Sequence, residues 1–362
     1  MIKRMSRGSR HLPSLTSLRF FAAMLVVAYH AAHQSTPADG HAFASLRFGY
    51  LGVTFFFVLS GFVMVWSARD GSAAASYYRR RFARVWPVHA LTLVAAATLV
   101  AAGVLESRTG LGTTTANALL LQAWTMELSV AYSYNSVAWS LSAEAFFYAV
   151  FPLLYLVFRR QAPTLAIAVG VGWLVLGGLL AEALATPTAT YALTYTFSAY
   201  RVGEFLIGMG IALLVRTNDS SGIRPFLAVA FAAVSYAGLI VVDRLSAGTL
   251  GDHLWVVSLM FIPAVALMLV VFARRDLNGD EGWLSSPALV RLGRWSFALY
   301  MVHELVLRVA RPFMLGRPWT AVIFVACAIA LSGAVYRLVE QPIERRMRGS
   351  RKPAAQLDNI PA

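Results

Sequence analysis

The run LTSLRFFAAMLVVAYHAAHQ, from Leu15 to Gln34, constrains this chain more than any other stretch. It is long enough to cross a bilayer as a helix, yet it carries Arg19 and His30, eleven positions apart. At about 1.5 Å per residue that separation is roughly 16 Å, about half of the hydrocarbon core. Eleven residues also make about three turns, so both side chains lie on one stripe of the helix. A charge near the bilayer centre costs on the order of 2.5 to 3.5 kcal/mol on insertion scales, so such a stripe is expected to face protein or a water-filled cavity. The plainer alternative has Arg19 snorkelling to phosphates at one surface and His30 sitting among headgroups at the other.

Composition identifies the solvent. Hydrophobic residues make up 58% of the 362 and charged residues 13%, with a mean hydropathy of +0.63. Soluble domains run near a quarter charged, so this is an integral membrane protein. The formal charge of +14 does not point to nucleic acid, because the arginines cluster in short segments between apolar runs. Anionic lipid headgroups and phosphorylated small molecules are the expected partners, and no nucleic acid is. The single cysteine, Cys327, lies in an apolar run and is read as a small core or lipid-facing residue. The first apolar run carries Arg19 and lacks an evident small-residue cleavage site, so no cleavable signal peptide is expected.

The hydrophobic runs predict an all-α fold, a polytopic bundle of about ten transmembrane helices. They are placed at 15–34, 49–68, 86–105, 138–158, 163–183, 197–215, 225–243, 253–273, 292–311 and 318–338. The basic residues orient them. Lys3 to Arg10, Arg79 to Arg84, Arg159 and Arg160, Arg274 and Arg275, and Arg345 to Lys352 fall on one side, whereas Arg47, Arg108, Arg244, Arg311 and Arg317 are scattered on the other. The positive-inside rule then makes both termini cytoplasmic. Residues 1–346 form the membrane domain and 347–362 a short basic, disordered cytoplasmic tail.

The polar residues inside spans are the candidates for chemistry. Small residues in the second span, Gly52, Ser60 and Gly61, suit close approach of a second backbone or of an acyl chain, and plain helix packing is the favoured reading. At the entry to the third span Arg81 and Arg84 are three apart and share a face, ready to grip a phosphate jointly with the helix N-terminus, with Pro87 suiting the first helical turn. An ordinary positive-inside anchor is the plain alternative. The segment 105–137 is the longest connection, and ALLLQAW within it reads as a short interfacial or re-entrant helix. WSLSAE follows, bringing Ser140, Ser142 and Glu144 into one turn and a half. Arg201 and Glu204, three apart, are placed to pair internally. Tyr300, His303, Glu304 and Arg308 share one late helix, and Pro342 ends or kinks the last span.

Seven blocks in this order resemble the acyltransferase 3 family of membrane acyltransferases: SLRFFAAMLVVAYH, LGVTFFFVLSGFVM, RFARVWP, WSLSAEAFFYAVFPLL, YRVGEFLIGM, SFALYMVHE and VEQPIERR. They run from Ser14 to Arg346. The resemblance implies that Arg19 and His30 are the family's first-span pair, with His30 the essential position, and that Arg81 and Arg84 are its paired arginines. It also implies transfer of an acyl group, most often acetyl from cytoplasmic acetyl-CoA, to an acceptor hydroxyl on the outer side. Some members carry a fused C-terminal SGNH hydrolase-like domain. Only about twenty residues follow Glu340 here, so the stand-alone form is expected.

Acyl transfer to a hydroxyl needs a base, and histidine serves at neutral pH if a carboxylate orients it. The expectation is therefore His30 as general base with Glu144 as its orienter. Arg19, Arg81 and Arg84 would meet the phosphates of an acyl-CoA donor, arginine's planar fork suiting phosphate. Ser142, Arg201, Glu204, Tyr300 and His303 complete the candidates. No metal and no bound cofactor is expected, acetyl-CoA or another acyl-CoA being a substrate. Carbohydrate, lipid-linked sugar or a small natural product is the expected acceptor, and the bacterial cytoplasmic membrane the expected location. The alternative reading is a transporter or flippase of a lipid-linked sugar, which also uses embedded Arg, Glu and His.

Overall fold

A computed structural model describes residues 11–35, 45–68, 74–217, 222–280 and 282–348. Among these the regular elements are helical, and each of the ten expected spans falls on a helix. In chain order these are α1 (Pro13–Ser35), α2 (Leu51–Ser67), α3 (Ala74–Ala101), α4 (Trp139–Phe158), α5 (Pro163–Leu184), α6 (Val202–Thr217), α7 (Pro225–Leu245), α8 (Leu254–Asn278), α9 (Pro287–Met314) and α10 (Ala321–Val335). Among the described residues seven helices are long and apolar enough to cross a membrane. The three that fall outside that group are α2, α6 and α9. With 17 and 16 residues α2 and α6 are short, and α9 carries Arg291, Arg294, Glu304, Arg308 and Arg311.

These three form the interior. Helix α6 packs against α2 on one side and α5 on the other, and α9 runs along α1 and α10. Glycines permit the close crossings. A Cβ on Gly61 would collide with the Phe205 carbonyl, and one on Gly208 with the Val58 carbonyl, so α2 and α6 touch backbone to backbone in both directions. Gly293 meets Thr16 of α1 in the same way, and Gly52 meets Ala22. The small residues of the second span thus serve helix packing. At the arginine-rich end α1 is pinned by Ser14, whose N–H and Oγ donate to the Asp276 carboxylate at 2.9 and 2.6 Å.

Two local expectations are corrected. Helix α3 begins at Ala74 and not near residue 86, so Arg81 and Arg84 lie two or more turns inside it and do not share a phosphate site with its N-terminus. Pro87 is likewise interior, where its ring removes a backbone hydrogen bond without ending the helix. Hydropathy registers the apolar part of a helix, and the RRRFAR stretch continues the same helix out of the apolar zone. At the other end, a π-helical turn over Tyr336–Glu340 extends α10, and Gln341–Arg348 carries the helical path on, with Pro342 in its first turn. The expected tail beyond Arg348 lies outside the described residues.

The connection between α3 and α4 folds back into the outer end, opposite the arginine-rich one. It contains a helix at Leu111–Ala118 and short turns at Gln122–Trp124, Leu128–Ala131 and Ser136–Ala138. Its buried amides hold it in shape and tie it to the bundle: Gln122 Nε2 donates within the connection to the Ala138 carbonyl, and Asn135 Nδ2 to the Met301 carbonyl of α9, both at 2.9 Å. Arg308 on α9 donates to the carbonyls of Tyr134 and Glu106 at 3.1 and 2.7 Å. Tethered backbone of this kind is tolerated at membrane depth because it is buried in protein.

Candidate active site

Helices α1 and α9 both start at the arginine-rich end, and His30 and His303 each lie roughly four and a half turns from that start, so they reach the same depth. Their rings meet. His303 Nε2 is 3.2 Å from His30 Nδ1, and the ring centroids are 5.1 Å apart. His30 Nε2 lies 4.0 Å from Glu304 Oε2, and the other carboxylate oxygen accepts from Ser136 Oγ at 2.9 Å. His303 and Glu304 are buried, whereas the His30 side chain keeps 21% exposure. Among the described residues the remaining Glu304 oxygen, Oε2, is buried without a hydrogen bond.

That exposure opens onto a cavity of about 380 Å³ at the outer end. His30, Glu304 and Tyr300 line it with Ser136, and an aromatic wall of Tyr29, Tyr50, Tyr132, Tyr191, Tyr195 and Trp139 surrounds them. The rings brace one another, Tyr50 edge-on against Tyr195 at 5.5 Å and Trp139 tilted against Tyr195 at 4.8 Å. Tyr300 shares a hydrogen bond of 2.9 Å with Ser140 Oγ. A hydroxylated ring compound meets flat faces for its carbon skeleton and an imidazole for one of its hydroxyls here.

The other predicted residues lie elsewhere. Arg201, 1% exposed, pairs with Glu204 at 3.0 Å as expected from their spacing. Its guanidinium lies among the rings of Phe57, Trp139 and Tyr195, behind the cavity wall and not on it. Ser142 is buried against Ser198, 3.4 Å away, also off the cavity. Glu144 is not brought to His30. Its carboxylate accepts from Tyr148, one turn further toward the arginine-rich end, and the place expected for it beside His30 is held by Glu304. The expected overlap in depth between Glu144 and His30 does not hold: Glu144 lies with Tyr148 and in the field of Arg19, and Glu304 lies beside His30.

Glu144 belongs to a second polar cluster near the arginine-rich end. Arg84 pairs with the fully buried Glu340 and lies 3.7 Å from Glu344. Arg81 donates to Ser67 Oγ at 3.1 Å and lies over the rings of Tyr77 and Tyr148. Arg19, half-buried, feels the charges of Arg84, Glu144 and Glu340, yet among the described residues no hydrogen bond or ion pair reaches it. Its donors are available to a ligand.

Where the sequence predicts no metal, the structure brings three groups able to ligate one together: one atom each from His30, His303 and Glu304 lies within 4.8 Å of the others. Hydrogen bonds already occupy most of this set, as described below.

The fold is a polytopic membrane bundle with one polar cluster toward each end, and comparison with known proteins gives the family. The chain belongs to the family described as an acyltransferase domain, which matches residues 12–337. It is 32% identical to acyltransferase MdmB of Streptomyces mycarofaciens, across 95% of this chain and 94% of that protein. It is 28% identical to the exopolysaccharide production protein ExoZ of Rhizobium meliloti, across 90% of this chain and 97% of that protein. With the peptidoglycan O-acetyltransferase OatA of Listeria monocytogenes it shares 23% identity across 95% of its length but only 58% of OatA's. No solved structure matches.

Glu304 is the residue that the sequence named but did not place in the site. The signal was present: His303-Glu304 lies as far into α9 as His30 lies into α1, on helices starting from the same side. The tyrosine wall had no comparable signal, because it is assembled from α1, α2 and two separate connections.

Proposed function

We propose that this protein is a membrane O-acyltransferase of the bacterial cytoplasmic membrane. It takes an acyl group, most simply acetyl, from cytoplasmic acyl-CoA and delivers it to a hydroxyl of a sugar-containing or similar ring-bearing acceptor in the outer cavity. The observation that carries this reading is the His30 imidazole, which faces the cavity with one ring nitrogen and is held by partners on the other. In the reaction the acceptor hydroxyl gives its proton to His30 Nε2 as its oxygen attacks the acyl carbonyl carbon. The carbon–sulfur bond breaks, and the thiolate of CoA leaves and is protonated. The Glu304 carboxylate favours the imidazolium formed at that moment. Cys327 is exposed and remote from these groups, and the scheme needs no acyl-enzyme.

Arg19 and Arg81, with Arg84 and its acidic partners, form the donor end, where free and aromatic-backed guanidiniums suit phosphate. MdmB, ExoZ and OatA bear names of acyl transfer and of polysaccharide production, which supports a carbohydrate or glycoside acceptor. The test is transfer of label from acetyl-CoA to acceptor sugars by the purified protein in liposomes. Uptake of a lipid-linked sugar without consumption of acetyl-CoA would replace this reading by that of a flippase. Orientation is tested separately: in a Cys327→Ser background, cysteines at Ser129, Ala247 or Gly316 are expected to react with an impermeant reagent from outside, and one at Asn278 is not.

A further inference from the structure

The hydrogen bonds around His30 determine which of its nitrogens carries the proton. His303 Nδ1 lies 3.1 Å from the carbonyl oxygen of Leu299, one turn back on α9. A carbonyl only accepts, so His303 Nδ1 carries its proton and, in the neutral ring, Nε2 is an acceptor. That Nε2 lies 3.2 Å from His30 Nδ1, which is also 3.0 Å from the Val26 carbonyl. His30 Nδ1 therefore faces two acceptors and must donate. The lone pair is left on His30 Nε2, the nitrogen beside Glu304. The Val26 carbonyl alone would fix the tautomer but not the ring, since His30 keeps 21% exposure in a wide cavity. The fully buried His303, anchored on its own helix, supplies the second point.

We infer that His303 is a positioning residue for the transfer reaction: its Nε2 accepts the Nδ1 proton of His30, holding the basic nitrogen of His30 toward the acceptor. This rests on the proposed base role of His30. The bond also changes during the reaction. As Nε2 of His30 takes the acceptor proton, Nδ1–H becomes the donor of an imidazolium, and a charge-assisted hydrogen bond is roughly twice as strong as a neutral one. His303 thus binds the transition state better than the ground state, which is the condition for raising kcat. A metal bridging His30, His303 and Glu304 is the rival. If it bound through His30 Nδ1 it would have to displace the proton shared with Val26.

Two amides separate the possibilities while keeping the site polar. The amide oxygen of glutamine reaches about as far as histidine Nε2, whereas that of asparagine reaches only about as far as Nδ1. His303→Gln is expected to keep turnover within about tenfold of the wild type. His303→Asn is expected to lose about 100-fold in kcat, within the range of general-base effects, with the acetyl-CoA KM unchanged. Both proteins are assayed in liposomes at matched folded amounts, judged by gel filtration. Equal kcat for the two variants, or a change confined to KM, would overturn the assignment. So would loss of wild-type activity on chelation with recovery on adding zinc, which would establish the metal. The underlying reading fails separately: wild-type protein that transfers no label, or His30→Ala that still transfers it, dismisses the base itself.

Discussion

Arg19 and His30 sit on one stripe of α1, and their surroundings accommodate a polar side chain inside a membrane in opposite ways. His30 is held by directed hydrogen bonds, to its own helix at Val26 and across to His303, with a carboxylate at 4.0 Å. Arg19 is accommodated by charge without direction: Glu144 and Glu340 lie within its field, offset by Arg84, and among the described residues its donors are unused. A group that must present one nitrogen to a substrate gains from the first arrangement. A group that must receive an anionic ligand gains from the second, because no protein acceptor has to be displaced. On the proposed reading the two ends of one helix serve different tasks, and substitutions at each end separate chemistry from donor binding.

The largest effect is expected at the outer end. His30→Ala should lower kcat by at least 100-fold and up to about 10⁴-fold at saturating donor, while acetyl-CoA binding, followed by quenching or calorimetry, stays near the wild-type value. Equal loss of binding would show that the two ends are not separable. Next in size is Glu304→Gln, which keeps the shape and the Ser136 contact but removes the charge facing the imidazolium. A fall of about 10- to 100-fold in kcat is expected, again with donor KM unchanged.

How much of this contrast was written in the sequence depends on the kind of evidence. Each of the ten expected spans falls on a helix, and the seven described helices long and apolar enough to cross a membrane were the most legible, because burial in lipid demands continuous apolar runs. The start of α3 was not, since RRRFAR is helical but not apolar. The Arg201–Glu204 pair was legible because three residues on one helix fix both distance and direction. The partner of His30 was only half legible. Counting residues into a span gives only an approximate depth, which favoured Glu144, whereas the seating of each helix along and about its axis is set by packing. In α9 that packing includes Gly293 seated against Thr16 of α1, a contact that no spacing rule announces.

At the arginine-rich end a smaller effect on turnover is expected, together with a cost in stability. Arg84→Ala leaves the carboxylate of Glu340 buried and unpaired, a loss on the order of 3 to 5 kcal/mol, and should lower the yield of folded protein. Adding Glu340→Gln should recover much of that yield. If Arg84 also meets donor phosphate, the recovered double variant still shows an acetyl-CoA KM raised about tenfold with kcat near normal. A double variant with normal KM assigns Arg84 to structure alone and leaves Arg19 and Arg81 as the donor-facing cations.

The smallest expected change in kcat, and the sharpest test of the comparison, is at Glu144. Its carboxylate is bonded to Tyr148 and lies in the field of Arg19, so it belongs by position to the donor end. Glu144→Gln retains an acceptor for the Tyr148 hydroxyl and removes one of the charges that offset Arg19. Its effect should therefore appear in donor KM, about three- to tenfold in either direction, according to whether the lost carboxylate had repelled the donor's phosphates or had held Arg19 in place for them. The kcat at saturating acetyl-CoA should stay within about threefold of the wild type, well above that of Glu304→Gln measured in the same liposomes. The reverse pattern, with Glu144→Gln nearly inactive at saturating donor and unchanged in KM, would mean that Glu144 acts on the transfer step despite its distance from the cavity lining. In that case the donor end and the chemical end of α1 are one site, and the contrast between Arg19 and His30 is only one of packing.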